Sequence, residues 1–160
     1  MDLTIEDFHR IVDERVNELI SRISDLNCRR GCADCCIDNI TVFQVEGDWI
    51  IQNCNDIINE GSAITDACPF LDNNNSCRIY YYRPYVCRTQ GLPLRWIEED
   101  QDKQPVEYRD ICSLNESVLD LKASEENFWT IGPYEEALSL IQYSKYGNIN
   151  RVFLRSLFEK

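Results

Sequence analysis

The chain has 160 residues, 44 % of them hydrophobic, and nine are cysteine. That length fits one domain with a core of its own. A formal charge of −12 argues against generic binding to nucleic acid or to an anionic membrane. A single histidine, His9, excludes multi-histidine metal sites.

The N-terminus is acidic and carries no basic, apolar leader pattern, and no apolar run reaches the roughly 20 residues that span a bilayer. A cytoplasmic protein is the expectation. Thiols stay reduced there, so a dense cysteine set points to metal or redox chemistry rather than to disulfides.

Residues 4–27 read as an amphipathic helix. Thr4 is its cap, and Ile5, Phe8, Val12, Val16, Leu19, Ile23 and Leu26 form its apolar stripe. His9 falls at the edge of that stripe and reads as a helix-surface or boundary residue. The cluster Cys28-Arg29-Arg30-Gly31-Cys32-Ala33-Asp34-Cys35-Cys36 follows. A short β stretch is expected at Ile40–Phe43 and a helix from about 45 to 59. Cys54 reads as a buried core cysteine of that helix. Residues 67–93 are irregular, with a turn at Asp72–Ser76. Residues 98–136 hold twelve acids and three bases and read mostly as a solvated face. Helices are expected near 133–144, ended by Gly147, and near 148–159, capped by Asn148 or Asn150. The expected fold class is mainly α: one domain over 1–160, with an N-terminal helix (1–27), a cysteine core (28–112) and an acidic, helical C-terminal part (113–160). At most one short β element is expected.

Cys28, Cys32 and Cys35 converge whether they sit on a helix or in a tight loop, as a soft metal or cluster requires. Cys35 and Cys36 are neighbours whose side chains diverge, so one small ion takes both only with strain. A cubane or two separate centres suits them better. The second group is Cys68-Pro69-Phe70-Leu71, then Cys77, then Cys87-Arg88. A proline following a ligand cysteine recurs in ferredoxins. All six bases between residues 28 and 95 are arginines. Arg78, Arg83 and Arg88 therefore read as cofactor-binding residues, supporting a cluster's sulfurs or binding an anionic ligand.

The ordered string CPFL, C-x-IY, RP-x2-CR, together with Cys28-x3-Cys32-x2-Cys35-Cys36, resembles the YkgJ-type cysteine-cluster family of zinc- or iron-chelating domains over about residues 28–90. The same module is similar to the cysteine-rich part of flagellin lysine N-methylase, an iron–sulfur protein much longer than this chain. The resemblance implies metal or iron–sulfur binding by Cys28, Cys32, Cys35, Cys36, Cys68, Cys77 and Cys87, with Cys112 as a further match. Two four-sulfur centres would use all eight. A [4Fe-4S] cluster is favoured, zinc is the alternative, and copper(I) is a minor option.

Cys28-x3-Cys32-x2-Cys35 also has the spacing of radical S-adenosylmethionine enzymes. Asp34 departs from their usual aromatic, however, and no alternating strand–helix run follows. Two functional classes stay open. One is a redox or protein-modifying enzyme with S-adenosylmethionine as its candidate cofactor and a protein as its substrate; the other is a zinc-binding structural or metal-donor module.

Overall fold

The computed structural model describes residues 3–23, 25–29, 31–118, 120 and 122–159. Ser24 of the expected first helix and Arg30 of the cysteine loop lie outside them, as do the two N-terminal residues and the last one.

Helix α1 spans Ile5–Arg22, and the Thr4 side chain accepts from the Asp7 N–H at its start. Its stripe of Phe8, Val12, Val16 and Leu19 is buried. These residues form one core cluster with Tyr85, Trp129 and Leu138. Strand β1 (Thr41–Phe43) leads directly into α2 (Gln44–Asn53). The expected helix over 45–59 breaks at Cys54 and resumes as α3 (Asn55–Glu60), which ends at Gly61 with φ +89°. A short α4 (Tyr85–Arg88) follows a single 3-10 turn at Tyr80–Tyr82. Helix α5 runs Ile131–Tyr146 and stops at left-handed Gly147, as its sequence predicts.

The mainly helical expectation is overturned. Among the described residues 44 % are helical and 14 % are in strands, which form two small sheets. The acidic stretch holds the larger one: β2 (Leu94–Glu99) and β3 (Pro105–Asp110) pair antiparallel, and β4 (Trp129–Thr130) adds parallel to β2. Asp100 shapes the turn between β2 and β3, its carboxylate accepting from the N–H groups of Asp102 and Gln104. Trp96 and Tyr108 face each other across the hairpin with rings stacked at 5.7 Å. Four of the twelve acids, Glu98, Glu99, Glu107 and Asp110, are solvated, as expected, but on strands. A tally of charge does not reveal this, because the telling signal is the cross-strand pairing of Arg95, Trp96 and Tyr108.

The expected last helix is likewise absent. Residues Arg151–Phe153 form β5, which pairs antiparallel with β1, and a 3-10 turn follows over Leu154–Phe158. Asn148 shapes a turn by accepting from the Asn150 N–H rather than capping a helix. Val42, Ile50, Phe70, Ile79 and Leu154 close a second core cluster, and this one lies beside the cysteines. No helix among the described residues is long and apolar enough to cross a membrane.

Candidate metal centre

Three chain segments deliver cysteines to one cavity of about 530 Å³. Cys28, Cys32, Cys35 and Cys36 come from the loop after α1, Cys68 and Cys77 from the middle of the chain, and Cys87 from α4.

The first segment is a loop rather than a helix. Gly31 takes φ +91°, and single-turn bonds run from the Cys32 N–H to the Arg29 carbonyl and from the Cys36 N–H to the Ala33 carbonyl. Each turn points its following thiol inward. The second segment folds on itself: Leu71 bridges Cys77 antiparallel, and the Arg78 N–H donates to the Phe70 carbonyl. Between them Asp72 accepts from the N–H groups of Asn74 and Ser76, as the turn residues predict. The Cys68 N–H donates to the Cys36 carbonyl at 2.9 Å and so ties the two segments together.

Burial differs along the wall. Cys68 is buried, Cys28 and Cys35 are exposed, and Cys32, Cys36, Cys77 and Cys87 lie between. Desolvation pushes the Cys87 thiol well up, and its neighbours Cys68 and Cys77 add to the shift. Cys68, Cys77 and Cys28 are raised chiefly by burial too. The neighbouring Cys35 and Cys36 thiols oppose each other's ionisation: Cys36 is pushed up while Cys35 is pulled down to about 6.

Of the three arginines singled out from sequence, one reaches the cavity. Arg83 lines it, rests over the Tyr80 ring at 4.0 Å, and has a buried Nε without a hydrogen-bond partner. Arg83 also favours the anionic forms of Cys35 and Cys77. Arg78 turns away to the Gly61 and Ile57 carbonyls and Glu60, locking the end of α3. Arg88 donates to Asp13 at 2.5 Å and to the Tyr81 carbonyl, fastening α4 to α1. Tyr80 and Tyr81 sit exposed at the cavity wall, whereas Tyr85 is core.

Cys54 is 4 % exposed at the α2–α3 junction and belongs to the second core cluster. Cys112 lies outside the cavity lining and starts a 3-10 turn, Ser113–Asn115, that docks on the Cys28 loop. His9 is buried rather than superficial, and its Nε2 faces the buried Glu46 carboxylate at 3.3 Å. Glu46 also accepts from the Tyr85 N–H at 2.6 Å, so this pair pins the first residue of α4.

Asn115 and Gly91 matter to the cysteines, and sequence reasoning missed both. Asn115 is fully buried; its Nδ2 donates to the Gly91 carbonyl and lies 3.5 Å from Cys28 Sγ. Gly91 takes φ +86°, and a Cβ placed on it would stand 2.1 Å from Cys28 Sγ. Only a glycine fits there. Neither residue belongs to a recognisable spacing, because both act across long sequence separations.

The donor set suits a soft metal or a cluster. The cavity far exceeds the roughly 30 Å³ share of one water, so it is more than a slot for one bare ion. Among the described residues no three His, Cys, Asp or Glu side chains already stand at single-ion spacing. Metal binding deprotonates thiol ligands, so binding and ordering are coupled wherever such a set closes on a metal.

A family model described as "CxxCxxCC: Putative zinc- or iron-chelating domain" matches residues 27–113, more than half of the chain. No curated protein and no solved structure matches.

Proposed function

The chain belongs to the CxxCxxCC family of zinc- or iron-chelating domains and is a cysteine-ligated metal-binding protein, and from that premise we propose that it carries iron–sulfur chemistry of the [4Fe-4S] type in a redox or protein-modifying role. One observation carries the reading: seven cysteines from three segments line a single cavity. Any single four-ligand centre, zinc or cubane, would leave three of these sulfurs idle, but a cubane spans more space than a bare zinc ion and suits a cavity of this size. Such a cluster, when bound, supplies one-electron chemistry or an open iron.

The residues of this chain have definite tasks in that reading. Cys28, Cys32, Cys35, Cys36, Cys68, Cys77 and Cys87 supply the thiolates, of which one cubane takes four. Arg83, the cavity's one arginine among the three singled out, offsets the negative charge of thiolates and sulfides and offers its free Nε–H to a sulfur. Phe70, Leu71 and Ile79 keep water from the inner wall. The exposed Tyr80 and Tyr81 leave the mouth open to a protein partner or to a small cofactor such as S-adenosylmethionine.

The test is elemental and sulfide analysis of anaerobically purified protein, with its absorption spectrum. Iron with matching sulfide and a broad visible band that bleaches with dithionite is expected. Stoichiometric zinc without colour overturns the iron–sulfur reading and leaves a structural or metal-donor module.

A further inference from the structure

The cysteines are not equivalent, and the difference has a structural cause. Cys36, Cys68, Cys77 and Cys87 are knit together from within. The Cys68 N–H donates to the Cys36 carbonyl, the Leu71 N–H donates to the Cys68 carbonyl, and Leu71 pairs with Cys77. Cys87 lines the same cavity from α4.

Cys28 has a different set of partners. Asn115 Nδ2 stands 3.5 Å from its sulfur, and Asn115 Oδ1 accepts from the Asn27 N–H at 2.7 Å. The Asn115 N–H donates to the Cys112 carbonyl at 2.7 Å. Asn27 Nδ2 adds a bond to the Leu114 carbonyl. One fully buried asparagine thus joins the turn that carries Cys112 to the loop that carries Cys28, although 84 residues separate the two cysteines. A buried side-chain amide with both ends engaged fixes one arrangement of the segments it joins. Its bonds to Asn27, Gly91 and the Cys112 turn would suffice for packing, but the approach of its amide to a sulfur is that of a residue holding a ligand in place.

We propose that the protein holds two separate metal centres, an inner one on Cys36, Cys68, Cys77 and Cys87 and an outer one on Cys28, Cys32, Cys35 and Cys112, with Asn115 as the positioning residue of the outer centre. This rests on the reading that the cysteines bind metal, and it adds which cysteines share a centre and the role of Asn115. The neighbours Cys35 and Cys36 then serve different centres, which removes the strain of binding one small ion with both. The outer centre faces solvent through the exposed Cys28 and Cys35 and is the one that exchanges metal or meets a partner. The inner centre lies against the second core cluster and stabilises the fold.

Two variants test the division by metal and sulfide content, absorption spectrum and thermal transition of the protein as purified. Asn115→Asp keeps the acceptor for the Asn27 N–H, removes the donor to Cys28, and sets a carboxylate against thiolates. Cys112→Ser removes one outer ligand without touching the cavity. Each should retain about half the wild-type metal, lose the more chelator-labile fraction, and keep a cooperative thermal transition. A full load in Cys112→Ser, or loss of all metal in a variant that stays folded, overturns the division. Wild-type protein without any metal overturns the metal-binding reading itself, a result distinct from either.

Discussion

At Gly91 the chain runs at φ +86° directly beside Cys28 Sγ. Gly91→Ala therefore combines a left-handed backbone penalty of about 1–2 kcal/mol with an overlap that pushes Cys28 aside. We expect a lower melting temperature and loss of metal that depends on Cys28, read by calorimetry and metal analysis on the same sample. Arg83 offers a different test, since the paired guanidiniums of Arg78 and Arg88 are engaged elsewhere. Arg83→Met removes a cation that favours the anionic forms of Cys35 and Cys77. If a cluster sits there, its reduction potential should fall at unchanged iron content, measured by spectroelectrochemistry. Cys54 is the counterexample among the cysteines. It is packed in the core, so Cys54→Ala should cost roughly 1 kcal/mol and leave the metal content intact.

On the scale of elements, the site depends on pieces that carry no cysteine ligand. Arg155, in the last 3-10 turn, donates to the carbonyls of Ile64, Thr65 and Ala67 and pairs with Asp38. It fixes the approach to Cys68 from the far end of the chain. Arg155→Met should cost about 2–3 kcal/mol, on the scale of hydrogen bonds to a charged group, and should weaken metal retention in a chelator competition. Helix α4 has only four residues and cannot stand on its own propensity. Glu46 holds its first N–H, and Asp13 and Tyr81 hold its last side chain. This is how Cys87 reaches the cavity wall. The short helix was not legible beforehand, because its anchors lie 39 and 75 residues away.

For the whole molecule, the family match ends before much of what completes the fold. Strand β1, within residues 27–113, pairs with β5 outside them, and β2 pairs with β4 outside them. Helix α1 supplies Phe8, Val12, Val16 and Leu19 to the first core cluster, again from outside. A fragment of residues 27–113 should therefore show no cooperative thermal transition, even with metal supplied, whereas the full chain should. Metal removal should act in the same direction on the full chain. Chelation under reducing conditions should lower the melting temperature, because ligand closure and folding share free energy.

The sequence by itself determined the chemistry. Cysteine number and spacing are local properties of the chain, and they specify a cysteine-ligated centre. The first helix as far as Arg22, five residues short of its expected end, the β stretch before residue 44, the turn at Asp72 and the stop at Gly147 were legible, since periodicity, caps and turn residues act within a few positions. Only the tertiary structure decided the rest. It turned the acidic stretch into a hairpin and the last segment into a strand, because strand pairing draws its partners from distant residues. It sent Arg78 and Arg88 to carbonyls and carboxylates while leaving Arg83 in the cavity, and it brought Asn115 and Gly91 to Cys28. Each of these outcomes depends on contacts across tens of residues, which no local spacing encodes.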